Sequence, residues 1–366
     1  GFSVYKEEIN PLQHDYTYIK NKIEEHYNTN QIKYVLIFGS IEDVPTNMKA
    51  LDFHEDEYKT SLNFNTRSAA SDISYGHILG NQYKIIIGRL TCGDNLYYTT
   101  QELTQTEKIQ NIQNQVDKIK EYETLIDTLI MQSQVDDWSK TLIGIASNEG
   151  LGDGIDGLAD NEYMRQEMEL FRTTLNCNYT ELYQSYGNSG HINDPSNKYQ
   201  NINYDGYGNP NSQNLKEIIN NGAAFLLYAG HASEIEFSTT RFDVSDVNLL
   251  TNKGKYFLGC VVGCSIGSHD ERFMTLSEQF QCVKEKGSIA MFVSSILQNW
   301  QPPMHMQRQI NSTILNTQKT LTIGEIFQSG VSISQFRDFD DYWFFQILGD
   351  PCTRFVLTVP EIKSKF

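Results

Sequence analysis

Two residue types that can perform nucleophilic chemistry together follow consecutive apolar segments of this chain. His231 comes just after the apolar run 223–230, and Cys264 comes just after the next run, 255–263. If these runs are adjacent parallel strands, their carboxyl ends open at one edge of a sheet, about 4.8 Å apart. A thiol and an imidazole that meet there can act as a nucleophile and its acid/base partner.

Each of these residues also has an ordinary structural interpretation. A cysteine after an apolar run is usually a packing residue, and Cys260, inside the run, fits that description better than Cys264. A histidine near a strand end is usually a turn residue with its hydrogen bonds satisfied. Gly230, Gly263 and Gly267 flank the candidates and permit tight, exposed turns.

The elements that must position these residues follow from the apolar pattern of the chain. Runs rich in β-branched residues, bounded by glycine or polar turn residues, recur at 33–39, 84–90, 140–147, 223–230, 255–263 and 288–294. Their apolar character is continuous rather than alternating, which predicts strands buried on both faces, as in a parallel sheet covered by helices.

Helical patterns lie between these runs, at 16–27, 104–131, 212–221 and 275–287. The last is expected to end in Lys-Glu-Lys-Gly, with cations at the negative end of the helix dipole and a glycine cap. Alternation of strands and helices predicts an α/β fold, a three-layer α/β/α sandwich around a mostly parallel sheet.

The length of 366 residues suits two packed units. We place their boundary near 133–138, with an N-terminal α/β subdomain at 1–134 and a catalytic subdomain at 135–366. Two polar, glycine-rich segments, 150–161 and 186–211, are predicted loops, and long loops in compact enzymes often face the substrate.

Composition excludes several classes of protein. The formal net charge of −17 disfavours nucleic acid as a partner. No apolar stretch approaches the roughly 20 residues of a membrane span. The six cysteines show neither CxxC pairs nor metal-ligand spacing with histidine, so at least one free, functional thiol is expected.

The residues around both candidates resemble the gingipain family of cysteine peptidases, which share the caspase fold of clan CD. The segment LYAGHASEIEFSTTRF (227–242) looks like the family's histidine segment, and VVGCSIG (261–267) looks like its nucleophile turn. Further segments resemble family blocks in the family's order: YVLIFGSIEDVPT, SDISYGHILGN with IIIGRL, WSKTLIGIASNEG, SSILQNWQPPM and FQILGDPCTRFV. The resemblance covers about 34–356.

This resemblance implies three catalytic roles. Cys264 would attack the scissile carbonyl, and His231 would protonate the leaving amine, so that hydrolysis proceeds through a thioester acyl-enzyme. Glu149 would orient the histidine and favour its charged form. The ordinary alternative for Glu149 is a solvated loop acid.

The resemblance also implies a pocket for a basic P1 residue, the residue on the acyl side of the scissile bond. Asp160 matches the acid that pairs with arginine in arginine-specific members, through a charge-assisted bond. Trp300 matches an aromatic wall that covers the apolar stem of P1. Other acids in the same segment compete with Asp160 for this role: Asp153, Asp156 and Glu162.

Two positions of the candidate substrate-binding region depart from the family pattern. The family has glycine after the histidine, where this chain has Ala232, and usually alanine before the cysteine, where this chain has Gly263. Alanine keeps the backbone N–H that would serve an oxyanion hole. Because neither change removes a reactive group, we expect an active enzyme.

The remaining implications concern partners and location. The expected substrate is a protein or peptide with arginine or lysine at P1, no cofactor is required for the chemistry, and structural calcium is an option. The family's first strand and helix are missing from this sequence, so its own cleaved N-terminal fragment is a candidate partner of this zymogen-type enzyme. A secreted or cell-surface location is expected. The alternatives are an inactive pseudo-peptidase that binds partners and a transpeptidase of the same family.

Overall fold

The computed structural model of the chain describes residues 3–50, 68–78, 82–95, 102–132, 136–184, 210–271, 273–317, 319–337 and 339–357. Most of the predicted loop 186–211 lies outside these residues.

The α-helices of the described residues, in chain order, are α1 (Tyr16–Asn30), α2 (Gln105–Gln132), α3 (Asp160–Leu175), α4 (Ser212–Asn221), α5 (Val244–Val247), α6 (Leu276–Cys282), α7 (Gln301–Asn316) and α8 (Ile323–Phe336). Short 3-10 turns occupy Asp72–Gly76, Asp137–Lys140, Ile155–Gly157 and Asp340–Phe344.

The strands are β1 (Tyr34–Phe38), β2 (Asn47–Ala50), β3 (Ser68–Ser71), β4 (His77–Ile78), β5 (Gln82–Tyr83), β6 (Ile86–Leu90), β7 (Thr141–Ala146), β8 (Asn178–Tyr183), β9 (Phe225–Ala229), β10 (Glu236–Phe237), β11 (Phe242–Asp243), β12 (Phe257–Val262), β13 (Ser288–Ser294), β14 (Leu321–Thr322), β15 (Phe345–Gly349) and β16 (Arg354–Phe355). All six predicted apolar runs form strands of the main sheet.

The main sheet has eight strands in the order β1-β6-β15-β13-β12-β9-β7-β8. Pairing is parallel throughout, apart from the antiparallel contact of β13 with β15. The sheet therefore consists of two parallel blocks of opposite direction. The first 134 residues supply β1 and β6, and later residues supply the other six strands, so one sheet spans the predicted boundary. The division into two subdomains stays a prediction.

Both faces of this sheet are buried, as continuous apolarity predicts. Along β9, the side chains of Phe225 and Leu227 join one core cluster, and those of Leu226 and Tyr228 join another on the opposite face. Helices α3, α7 and α8 supply apolar residues to the first cluster, and α4, α5 and α6 supply them to the second. The predicted α/β/α sandwich is confirmed.

Helix α6 corrects one prediction, because it ends at Cys282 and does not continue to 287. Val283 already has extended backbone, with ψ of 140°. The reason lies in a distant helix: the buried ammonium group of Lys118, in α2, donates to the carbonyl oxygens of Phe280, Lys286 and Ser288, each at 3.0 Å. Lys118 thus binds a carbonyl of α6, one of the turn that follows it and one of the first residue of β13.

This contact predicts the effect of removing the ammonium group. Lys118→Met should lower the free energy of unfolding by about 1–3 kcal/mol, because buried carbonyl oxygens lose their donor. Lys120→Met, on the exposed side of the same helix, is the matched control and should change it by less than about 0.5 kcal/mol. Urea unfolding followed by circular dichroism measures both. Equal midpoints for the two variants would show that Lys118 does not stabilise this turn.

Candidate active site

The register of two strands brings the candidate nucleophile and histidine to one edge of the sheet. Strands β9 and β12 are parallel neighbours, and their last pair in register is Ala229 with Val262. The N–H of Gly230 donates to the carbonyl of Val262 at 3.1 Å, which continues the pairing past the strand ends. His231 and Cys264 each lie just beyond this point, so both follow carboxyl ends at the same edge.

The turn that carries Cys264 is fixed against the end of β13. Ser265 has the left-handed backbone φ of 54°, and its N–H donates to the carbonyl of Ile296 at 2.8 Å. A Cβ atom at Gly267 would lie 2.5 Å from Val293, so only glycine lets the turn pack this closely. The turn leaves Cys264 half-buried at the surface of the sheet edge.

Its surroundings hold the Cys264 thiol in the neutral form at neutral pH. Burial raises the pKa of Cys264 above its usual value, the backbone N–H of Gln298 opposes this rise, and the carboxylate of Glu234 adds to it. A neutral thiol requires a base before it can act as a nucleophile.

His231 contacts the acid that the family resemblance implies as its partner. Its Nε2 lies 2.8 Å from Oε2 of Glu149, and each of the two side chains is 53% exposed. The carbonyl of His231 accepts hydrogen bonds from the hydroxyl of Tyr228 and, at 3.1 Å, from the N–H of Ser238. The backbone of the histidine is therefore fixed from two sides while its ring stays accessible to solvent.

Asp160 is 2% exposed and begins helix α3 rather than lying within the predicted loop 150–161. Its Oδ2 accepts a hydrogen bond from the hydroxyl of Ser147 at 2.5 Å, and its Oδ1 accepts one from the indole N–H of Trp300 at 2.9 Å. Burial raises the pKa of Asp160 to about 6, although both hydrogen bonds oppose the rise. The carboxyl group is thus held between two donors and titrates close to neutrality.

The indole of Trp300 connects this carboxyl group to the histidine. Its ring packs edge-to-face with the ring of His231, with centroids 5.6 Å apart. A Cβ atom at Gly150 would lie 2.0 Å from the indole nitrogen, and the φ of Gly150 is +75°, so glycine is required there. The structure therefore brings Glu149, His231, Trp300 and Asp160 together.

Nearly the whole chain matches one protein family. The model described as peptidase family C25 matches residues 3–356. The chain belongs to peptidase family C25. Because family C25 is a family of cysteine peptidases, the family resemblance of the sequence is confirmed.

Relatives of known name support the same family. Gingipain R2 and Gingipain R1 of Porphyromonas gingivalis are each 24% identical over 304 residues, or 81% of this chain. The chain spans 33% of the length of the first and 25% of the length of the second.

Two solved structures show the same fold. The crystal structure of the Arg-specific cysteine proteinase gingipain R superposes with a TM-score of 0.71 at 20% identity, over 94% of this chain and 69% of that one. The complex of the Porphyromonas gingivalis RgpB pro- and mature domains has a TM-score of 0.69 at 19% identity, over 94% of this chain and 70% of that one.

The acids that compete with Asp160 in this C25 chain have other surroundings. Asp156 pairs with Arg308 at 2.6 Å, Glu162 accepts the N–H of Ala159 at 2.9 Å, and Asp153 is exposed. Among the described residues, no group of three or more His, Cys, Asp or Glu side chains could hold a metal ion. Structural calcium stays a prediction.

The two departures from the family pattern share one space in the structure. A Cβ atom at Gly263 would lie 3.0 Å from the Cβ of Ala232, closer than such atoms normally approach. The space between the two strand ends holds one methyl group, and in this chain that group belongs to Ala232, next to His231. The N–H of Gly263 donates to the side-chain oxygen of Gln298 at 2.9 Å.

Sequence reasoning missed three residues of this site. Ser147 binds Asp160, Tyr228 binds the backbone of His231, and Gln298 binds the turn of Cys264. The sequence indicates Tyr228 and Ser147 only weakly as site residues, because each places a hydroxyl group within or next to an apolar strand. Nothing in the sequence around Gln298 indicates its role, since its contact with Gly263 is long-range. In the part of the chain that the structure describes, no helix is long and apolar enough to cross a membrane.

The cysteines provide a test of the proposed nucleophile. All six are free, and Cys264 and Cys352 are the two that are not fully buried. Cys352 has similar exposure and serves as an internal control. Burial and the nearby Asp350 raise its pKa to about 12, so it should react slowly. Iodoacetamide at neutral pH should modify Cys264 at least about tenfold faster than Cys352, because His231, the proposed base, would take the proton of the Cys264 thiol; peptide mass spectrometry measures both rates. Equal rates would contradict a reactive thiol at Cys264.

Proposed function

We propose that the protein is a cysteine endopeptidase that cleaves after arginine or lysine. The observation that carries the proposal is the indole of Trp300, which contacts both the ring of His231 and the buried carboxyl of Asp160. A pocket acid and an acid/base residue on one aromatic ring, at the edge that carries Cys264, suit cleavage beside a basic side chain. Similarity to the R-type gingipains supports this.

The proposed acylation step uses two proton transfers. His231 takes the proton of the Cys264 thiol as the sulfur attacks the scissile carbonyl and the C–S bond forms. The histidine then gives its proton to the leaving amine as the C–N bond breaks, which leaves a thioester. Water hydrolyses the thioester and restores the thiol. Because Nε2 of His231 faces Glu149, Nδ1 is the nitrogen that would exchange protons with thiol and substrate.

The proposed oxyanion hole consists of backbone donors at the two strand ends. The N–H of Gly263 already donates to Gln298 and cannot serve. The N–H groups of Cys264 and Ala232 are the candidates, because they follow the paired ends of β12 and β9. Donors fixed by the sheet cost little reorganisation when negative charge develops on the carbonyl oxygen.

The proposed P1 pocket combines Asp160 with the face of Trp300. Each carboxylate oxygen of Asp160 accepts one hydrogen bond in the free protein, and each can accept a second. A guanidinium group can therefore share the carboxylate with Ser147 and Trp300, or displace the indole N–H. The flat indole would cover the methylene groups of the same side chain.

We also infer protein substrates and a secreted or cell-surface location for the enzyme. Its own cleaved N-terminal fragment is proposed as a partner, and the solved complex of the RgpB pro- and mature domains supports this idea.

Substitution of the catalytic residues should produce graded losses. Cys264→Ala should abolish cleavage of an arginine peptide, because no other group can form the thioester. Glu149→Gln should lower kcat by about 10–100-fold, less than the roughly 10⁴-fold loss seen for a buried acid in this role, because Glu149 is half exposed. Glu236→Gln, which breaks the exposed ion pair with Arg241, is the control. Steady-state kinetics that show an active Cys264→Ala would refute the mechanism.

The pocket has its own test in arginine, lysine, citrulline and asparagine peptides. Citrulline has nearly the shape of arginine without its charge, so the arginine-to-citrulline ratio of kcat/KM isolates the role of Asp160. Because the pKa of Asp160 is about 6, this ratio should fall as pH decreases through 6, where the carboxyl becomes neutral. Asp160→Asn should lower kcat/KM for arginine about 100-fold or more and remove that pH dependence. Equal wild-type rates on all four peptides would refute a basic P1, and an unchanged preference in Asp160→Asn would refute Asp160.

A further inference from the structure

One loop, residues 149–160, carries both proposed acids of the site at its two ends. The N–H of Asp160 donates to the carbonyl of Glu149 at 3.0 Å and closes the loop at its base. Inside the loop, the N–H of Gly154 donates to the carbonyl of Gly150 at 2.8 Å. A displacement of this loop would therefore move the partner of His231 and the acid of the pocket together.

The tip of this loop is tied to helix α7 by Arg308. Its guanidinium donates to Oδ2 of Asp156 at 2.6 Å and to Oε1 of Glu167, in α3, at 3.0 Å. Glu167 is 1% exposed and also accepts a bond from Asn311 at 2.9 Å. The guanidinium lies 5.3 Å from the ring centroid of Tyr163. One guanidinium nitrogen of Arg308 thus binds a buried acid, and another binds the loop through Asp156.

The helix that carries Arg308 is itself fixed to the catalytic strands. The side-chain amide of Gln307 donates to the carbonyls of Tyr228, at 3.1 Å, and Cys260, at 2.9 Å. These carbonyls belong to β9 and β12, the strands that precede His231 and Cys264. The same helix starts directly after Trp300. Helix α7 therefore links the loop, the indole and both catalytic strands.

We propose that Arg308 is a positioning residue: through Asp156 it holds the loop 149–160 so that Glu149 and Asp160 keep their places in the site. The kinetic part of this proposal rests on the proposed function, and the structural part does not. The simpler alternative is an ordinary surface ion pair, which contributes little to structure. The buried partner Glu167 and the anchoring of α7 argue against that alternative.

Asp156→Asn is the cleanest variant, because it removes the charge and leaves the buried pair of Arg308 with Glu167 intact. Asp156 has the left-handed φ of 57°, which asparagine adopts readily. Glu285→Gln is the matched control: Glu285 is also left-handed, with φ of 56°, and its exposed pair with Lys253 has an N···O distance of 2.8 Å.

Amide hydrogen exchange tests the structural part on the intact protein. The N–H groups of Gly154 and Asp160 should exchange several-fold faster in Asp156→Asn than in the wild type, and Glu285→Gln should leave them unchanged. Exchange rates equal to wild type in Asp156→Asn would overturn the proposal, whatever the peptidase activity is.

Kinetics test the consequence for the site. In Asp156→Asn, KM for an arginine peptide should rise about tenfold and kcat should fall by up to about tenfold, because the loop carries both Asp160 and Glu149; both constants of the control should stay unchanged. Arg308→Lys, which keeps the charge but loses the fork that binds two acids, should give an intermediate KM. Faster exchange with an unchanged KM would overturn the positioning role. A wild type that cleaves no arginine peptide would instead refute the proposed function. The exchange rates would then test only whether the contact of Arg308 with Asp156 holds the loop 149–160.

Discussion

The parallel pairing of β9 with β12 is the constraint on which the candidate site depends. A parallel pair places both carboxyl ends at one edge, so two residues that are distant in sequence become neighbours there. The hydrogen bond from Gly230 to Val262 extends the pairing up to the turns that carry His231 and Cys264. Gln307 then binds carbonyls of both strands from the helix layer, which holds their relative position.

The electrostatics of the site follow from how deeply this edge is packed. His231 and Glu149 lie where water still reaches them, with 53% of each side chain exposed. Asp160 lies under the indole of Trp300, where little water reaches it, and burial raises its pKa. A carboxylate that has lost water gains strongly from a cation that enters beside it, because the pair interacts in a medium of low dielectric constant. The two acids at the ends of one loop therefore have different environments and different proposed roles.

The sequence predicts the layers of the fold better than the ends of its elements. Buried central strands such as β9 and β12 are continuous apolar runs, and six of the eight strands of the sheet are predicted for that reason. Strand β8 was missed because its polar residues belong to an edge strand, and β15 was missed because its five residues include the polar Gln346 and end at Gly349. The end of α6 depends on Lys118, whose distance along the chain hides the contact from any local pattern.

The same distinction holds for the site. Cys264 and His231 could be found because each follows a strong strand signal, and the family resemblance added Glu149, Asp160 and Trp300. Ser147 and Gln298 act through contacts that only the folded chain creates. Likewise, the shared space of Ala232 and Gly263 is visible only once two strand ends are side by side.

The most direct measurement is a crystal structure of the protein after reaction with a peptidyl-arginine chloromethyl ketone. We expect a covalent bond from the sulfur of Cys264 to the inhibitor, with the guanidinium group hydrogen-bonded to the carboxylate of Asp160 beside Trp300. An inhibitor attached to another cysteine, or an arginine side chain directed away from Asp160 into solvent, would contradict it.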